Sequence, residues 1–299
     1  MNKITLLVSE TDMNSFCSVW IQPALEQFKL EYHDKNKIYD KKSTLLVIGC
    51  GPNSNWHIPL YNNGYKVIID NLWELPQPTD LNAHICKNKN WFWYNESLWY
   101  RHRKLHEYIP NRSFKKIAFV PMNLKKDFRD KLFSIIKNDI DQFLFSYRAL
   151  GIDLPGDTQS AEWQRHFNPD WYNSTYFSLV AETTVDSKVP LFITEKTFKP
   201  IAFKHPFMIL GQPKVLQWLR YLGFETFDNL FDESYDTISN LDKKLEIISK
   251  NIFCFNKIPY DSITEQKIKH NNNLFFDYNQ VLSRIKQEII NPILHYAET

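Results

Sequence analysis

Glycine is scarce in this 299-residue chain, at only 7 residues, and the cysteines Cys17, Cys50, Cys86 and Cys254 form no C-x-x-C pair. Few glycines leave little room for flexible linkers. Scattered cysteines argue against a disulfide framework or a cysteine zinc site and fit a reducing, cytoplasmic setting. No apolar run approaches the roughly 20 residues of a membrane span. One-sided charge is also missing: 36 Lys and Arg stand against 34 Asp and Glu, a net +2. No global field therefore draws the chain to nucleic acid or to a membrane surface. The opening residues MNKITLLVSE read as a first strand, since their apolar run is short for a signal peptide. His102 and His106 lie four residues apart without the glutamate of an H-E-x-x-H site, so they read as surface residues. Neither a metal nor an organic cofactor is expected.

What is present is bulk. Aromatic residues make up 15% and hydrophobic residues 43%, and the length suits two domains better than one core. Strand candidates are Ile4–Ser9, Thr44–Ile48 and Lys66–Ile69, with a helical pattern from Ser15 to about Tyr32 and a loop over Leu75–Asn90. Pro110–Ser113 reads as a linker. Beyond it a second alternation begins: strand Lys116–Pro121, helix Leu124–Ile136 and strand Gln142–Tyr147, ending in Arg148. Gly151–Asn173 reads as a long irregular insert, Leu241–Asn251 as a helix, and Asn271–His295 as a helix pair or one helix broken before Pro292. Strand alternating with helix predicts an α/β fold of two Rossmann-like domains facing a central cleft. The expected divisions are 1–112, a second domain at 113–270 that carries the main ligand site, and a helical segment 271–299 that packs back on the first domain.

Three local patterns admit more than one reading. Gly49-Cys50-Gly51 followed by Asp70 imitates a dinucleotide or methyl-donor loop, but Ser54 replaces the third glycine and Pro52 opposes the following helix. A tight turn at a strand end is the plainer reading. The run Trp91–Lys104 interleaves aromatic and basic residues, which can stack and clamp a sugar or a nucleic acid; Trp93, Trp99, Arg101 and Arg103 are the acceptor-binding candidates. The plainer reading is a core strand followed by an amphipathic helix. Asp139-Ile140-Asp141 matches a D-x-D metal pattern by letter but precedes its strand, at the end opposite a ligand cleft.

The stretch Tyr176–Phe227 carries the most chemistry. It reads as a strand (Tyr176–Glu182), a loop, a helix opening near Thr194, a buried strand (Pro206–Leu210), a helix (Pro213–Leu222) and a short strand (Phe224–Phe227). Glu182 closes a strand, and Thr194, Glu195 and Lys196 open the next helix. Helix N-termini seat phosphates, because their backbone N–H groups are free and the helix dipole is positive there. Thr194 also suits an N-cap and Glu195 a first-turn acid. Lys196 opposes the dipole, so a nearby anion is the simplest reason for it.

On these residues the chain resembles the α1,3-fucosyltransferase-like glycosyltransferases. In that family a strand carrying Phe-Glu-Asn-Ser precedes Tyr-Val-Thr-Glu-Lys, then a small helical residue and a Pro-Val strand closed by Gly. Here Glu182-Thr183-Thr184, Thr194-Glu195-Lys196, Ala202, Pro206 and Gly211 follow in that order. Thr183 and Phe192 stand where the family has Asn and Tyr, and Pro200 falls inside the expected helix. The resemblance implies a GT-B-type enzyme that transfers a sugar with inversion and without a metal. It implies Lys196 on the donor diphosphate, Glu195 on the ribose, Glu182 near the sugar, and Arg148 also at the phosphates. The base that takes the acceptor proton is expected from the first domain, where Asp70 and Asp12 follow strands and Glu96 is a further candidate. A glycan is the acceptor the resemblance implies; in a phage setting it is a modified DNA base. Two other readings stay open: an S-adenosylmethionine-dependent methyltransferase using Gly49–Gly51, and a nucleotide-binding protein without transfer.

Overall fold

The computed structural model describes residues 4–8, 29–32, 38–39, 44–48, 63, 65–71, 84–87, 90–154 and 168–298. The chain divides into two compact units, Met1–Trp99 with Asp277–Thr299, and Tyr100–Phe276. The boundary therefore lies ahead of the Pro110–Ser113 linker, which belongs to the second unit.

In the first unit Ile4–Val8 (β1), Lys29–Tyr32 (β2), Thr44–Ile48 (β3), Lys66–Asn71 (β4) and His84–Lys87 (β5) form one sheet. It is parallel throughout, in the order β2-β1-β3-β4-β5. Apolar runs such as TLLVI suit strands of a parallel sheet, which are covered on both faces. Two expectations fail here. The residues Lys29–Tyr32 are strand, not the end of a helix, and β5 lies within the expected loop. β5 is short and pairs with β4 alone, so its backbone partners and not a hydrophobic pattern define it. Ser15–Phe28 and Gly49–Ser54 lie outside the described residues.

Trp91–His102 is one helix, α1, and not a core strand followed by an amphipathic helix. It is buried on every side from Trp91 through Tyr100, as the row of aromatic residues demands once it coils. The helix stops at His102, and Lys104 turns through a left-handed φ of 60°. His102 and His106 thus do not share a helix face.

The second unit repeats the plan of the first. Lys116–Met122 (β6), Asp127–Ile136 (α2), Phe143–Tyr147 (β7), Pro169–Asn173 (α3), Thr175–Ala181 (β8), Glu195–Ala202 (α4), Phe207–Leu210 (β9) and Val215–Tyr221 (α5) alternate in sequence. The four strands are parallel in the order β7-β6-β8-β9. In each sheet the chain leaves its first strand to one side and returns to pair on the other. The order reverses between β1 and β3 and again between β6 and β8, and ligands of open α/β sheets bind at the carboxyl ends of such strands.

Leu241–Phe253 (α6) and Ser262–Phe275 (α7) complete this unit, and both are capped by side chains: Asn240 accepts from Lys243 N, and Asp261 from Thr264 N. The expected strand Phe224–Phe227 is an irregular segment. The Asn271 side chain accepts from Glu225 N at 2.7 Å and donates to Glu225 O at 2.8 Å, satisfying groups that a neighbouring strand would otherwise pair.

The closing segment starts afresh at Asp277, whose side chain caps Tyr278–Ile285 (α8); a π-helical turn, Lys286–Ile290, leads into Asn291–Glu298 (α9). Glu288 in that turn accepts from Asn90 Nδ2 at 2.9 Å and Tyr94 Oη at 2.6 Å, fastening the segment to α1 within the first unit. Among the described residues no helix is long and apolar enough to cross a membrane.

His205, buried just before β9, joins the second sheet edgewise. Its Nε2–H donates to Thr175 O at 2.8 Å, and Nδ1, at 2.9 Å, accepts from the Ser178 hydroxyl. Burial holds its pKa down to about 3, despite the Thr175 carbonyl acting the other way. In the unfolded chain a histidine protonates near pH 6.5, so between about 6.5 and 3 the unfolded state binds a proton the native state does not. Stability is therefore lost as pH falls through that window, by up to about 1.4 kcal/mol per pH unit from this one group. Denaturant unfolding from pH 7 to 4 should fall less steeply in His205→Gln than in the parent protein; equal slopes would contradict this role.

Candidate functional site

The site is assembled around the carboxylate of Glu182, which follows β8 and is completely buried. Its Oε1 accepts from Thr194 N at 3.1 Å and Thr197 Oγ1 at 2.6 Å. Its Oε2 accepts from Thr194 Oγ1 at 2.6 Å and Thr183 N at 3.1 Å. Every acceptor direction of the carboxylate is thus used inside the protein. Glu182 is consequently a tie between the end of β8 and the first turn of α4, and it offers no open oxygen to a sugar.

Gly211 packs beside this tie. A Cβ there would lie 3.3 Å from the Ile209 and Val215 methyl carbons and 3.5 Å from Glu182 Cβ. Arg129, also buried, donates to Leu124 O at 3.0 Å, Ala181 O at 3.3 Å and Glu182 O at 2.9 Å, fixing the backbone beneath. Gln212 folds the intervening loop: its Nε2 donates to Asp186 O at 2.8 Å and Val189 O at 3.0 Å, while Oε1 accepts from Phe192 N at 2.7 Å.

This frame aims the start of α4. Thr194 caps the helix by accepting from Lys196 N. Lys196 Nζ donates to Glu195 Oε1 at 2.8 Å, Thr183 Oγ1 at 3.2 Å and Thr194 Oγ1 at 3.3 Å. Glu195 therefore supplies one anion for the first-turn lysine. Burial alone would raise the Glu195 pKa, but Lys196 and then Lys199 outweigh it and keep the carboxyl below its usual range. Pro200 lies inside α4 and removes one backbone donor, yet the helix persists over Glu195–Ala202. Buried Phe198 and Ile201 offset that loss at about 2 kcal/mol each.

Beside this helix lies a recess of about 100 Å³ at the carboxyl ends of β6, β7 and β8. Phe119, Met122, Trp171 and Tyr172 give it apolar walls, and Arg129, Arg148, Lys196 and Lys199 bring four cations against the single carboxylate of Glu195. Arg148 follows β7 directly and lies 3.5 Å, through Nε, from Asp153 Oδ1. A positive recess beside a helix N-terminus can hold a phosphate or diphosphate and stabilise charge that develops there.

Four of the donor-side residues read from sequence, Arg148, Glu195, Lys196 and Thr194, therefore meet at this helix end or recess. Glu182 supports them from within. Sequence reading missed Lys199, although it sits three residues after Lys196 on one helix face. It also missed Arg129 and Gln212, whose roles depend on backbone groups that no residue pattern reveals.

The acceptor-side residues fare differently. Trp93 and Trp99 are buried in α1, at 0% and 8% exposure, and so present no stacking face. They are core residues, because the helix that carries them is enclosed on all sides. Arg101 Nη1 donates to Phe276 O at 3.0 Å, and Arg103 is exposed. Glu96 is buried on α1, where Asn95 Nδ2 donates to its Oε1 at 3.1 Å. Asp70 sits in β4, in register with Ile48 and Cys86. Asp12, Gly49, Cys50 and Gly51 lie outside the described residues. Asp139 and Asp141 occupy a 3-10 turn at the amino end of β7, away from the recess.

No protein-family model and no curated protein matches the chain. Among solved structures it is similar to an α1,3-fucosyltransferase at 12% identity and a TM-score of 0.48, over 94% of this chain and 92% of the other. It is also similar to α1,3-fucosyltransferase structures with GDP (12% identity, TM-score 0.46, 94% and 91% covered) and with GDP-fucose (11%, 0.43, 94% and 90%).

Proposed function

We propose that this chain is a nucleotide-sugar glycosyltransferase whose donor diphosphate sits at the start of α4. The observation that carries the reading is the convergence of Arg148, Lys196 and Lys199 on one recess beside that helix N-terminus. The motif order Glu182, Thr194-Glu195-Lys196, Gly211 supports it from sequence.

The reaction is an inverting displacement. An acceptor oxygen bonds to the anomeric carbon as that carbon's bond to the diphosphate oxygen breaks, and the diphosphate leaves with the electron pair. Negative charge grows on the leaving group, where Lys196, Arg148 and the helix N-terminus stabilise it. Glu195, charged and beside Lys196, accepts from a ribose hydroxyl. The acceptor proton passes to a carboxylate base, for which Asp70 and Asp12 are the candidates; Glu96, enclosed in α1, is not one. No metal is needed where fixed cations already meet the diphosphate. The acceptor is a glycan hydroxyl or a hydroxyl on a modified DNA base.

Lys196→Ala should keep the fold and weaken nucleoside diphosphate binding by about 10- to 100-fold, the range expected for a charge-assisted contact of about 1.5–3 kcal/mol. Calorimetric titration against a panel of nucleoside diphosphates and S-adenosylmethionine checks this. Unchanged affinity in the folded variant, or binding of S-adenosylmethionine alone, contradicts the reading. Glu182→Gln places an amide where two of four donors now point. It should cost about 3 kcal/mol of stability, as buried donors left without acceptors do. Denaturant unfolding measures it, and an unchanged midpoint would remove Glu182 from its positioning role.

A further inference from the structure

The opposite end of α4 opens on a second recess. After Ala202 the chain turns through Lys204 at a φ of 55°, in the left-handed region. Glycine is the usual residue at such a helix end, and a lysine adopts it only at a steric cost. Around it lies a cavity of about 310 Å³ whose lining includes His106, Pro110, Arg112, Lys204, Glu265 and Lys269. The residues come from three separated stretches of the second unit.

Charge does not balance in this cavity. Arg112, Lys204 and Lys269 face a single lining carboxylate, so among Lys, Arg, Asp and Glu the excess is three minus one, or +2. That carboxylate is already committed, since Glu265 Oε1 accepts from Arg112 Nη1 at 2.8 Å. Burial, and then the nearby Arg112 charge, holds the Lys204 amine below the usual lysine range. Like charges gathered in a concave site cost energy that a bound anion relieves.

Capping of α4 does not account for the cations. The carbonyls of Ile201 and Ala202 accept from Asn272 Nδ2 at 3.1 and 3.2 Å. Those of Pro200 and Ile201 also accept backbone N–H groups, from His205 at 2.9 Å and Lys204 at 3.2 Å. Lys204 Nζ instead donates to Tyr108 O at 2.6 Å, and Arg112 Nη2 to Lys204 O at 3.1 Å. Both Arg112 Nη atoms already hold one acceptor each, so an anion here meets the Arg112 charge and the remaining N–H groups of the Lys204 and Lys269 amines, which suit phosphate oxygens.

We propose that this recess is a second anion site, taking a phosphate monoester or diphosphate group between Arg112, Lys204 and Lys269. The site stands independently of the sugar-transfer reading, because it shares no residue with the seat at the start of α4.

The test uses the full chain at low ionic strength, in a Lys196→Ala background that weakens the first seat. Inorganic pyrophosphate is titrated calorimetrically into this protein and into versions that add Lys204→Gly or Lys269→Glu. Glycine suits the left-handed turn and Lys269 is exposed, so both versions should keep the parent's Tm and circular dichroism. At least tenfold weaker binding in both supports the site. The same affinity as the background, or no binding to the background at millimolar pyrophosphate, overturns it. A parallel titration separates the sources. A hexose phosphate binding more tightly than inorganic phosphate supports a phosphorylated metabolite, and equal binding supports free phosphate.

Discussion

Glu182 holds the second unit's functional end together through four hydrogen bonds to its buried carboxylate. Three come from the first turn and cap of α4 and one from the loop that follows β8. A buried carboxylate is costly unless every oxygen is satisfied, and here each one is. The arrangement tolerates little variation, because an amide cannot accept at both ends. Through Glu182 the sheet dictates where the first N–H groups of α4 point, and thereby where an anion can sit.

The cations complete what the backbone begins. Arg129 lines the recess but is spent on carbonyls at the strand end, and Arg148, Lys196 and Lys199 are the other cations in its wall. A first-turn lysine runs against the helix dipole, and Glu195 meets part of its charge. Both ends of α4 thus carry positive side chains for different reasons. At the start they face a helix terminus that already favours anions; at the far end they crowd a recess whose single carboxylate is engaged.

Much of the second unit could be read from residue pattern, because its strands are apolar runs and α3, α4, α6 and α7 begin at side-chain caps. Phe143–Tyr147, Thr175–Ala181 and Phe207–Leu210 fall within a residue or so of expectation. Pattern failed where partners rather than periodicity decide the backbone. β5 exists through its pairing with β4, Trp91–Tyr100 coils because its aromatic residues are enclosed on all sides, and Phe224–Phe227 is satisfied by Asn271 instead of a strand. At the site, Thr194, Glu195 and Lys196 were legible because a helix start has a recognisable chemistry. Glu182 was found but misplaced, since no spacing shows whether a carboxylate faces a ligand or four internal donors. Arg129 and Gln212 act on carbonyls and N–H groups alone, which leave no mark in sequence.

Sugar transfer by this chain requires one location for the diphosphate, at the start of α4. A crystal structure of the full chain with a bound nucleoside diphosphate tests it most directly. Phosphate oxygens within hydrogen-bonding distance of Lys196 Nζ and the first N–H groups of α4 are the predicted result. A nucleotide held elsewhere, with its phosphates away from Lys196, would contradict the account.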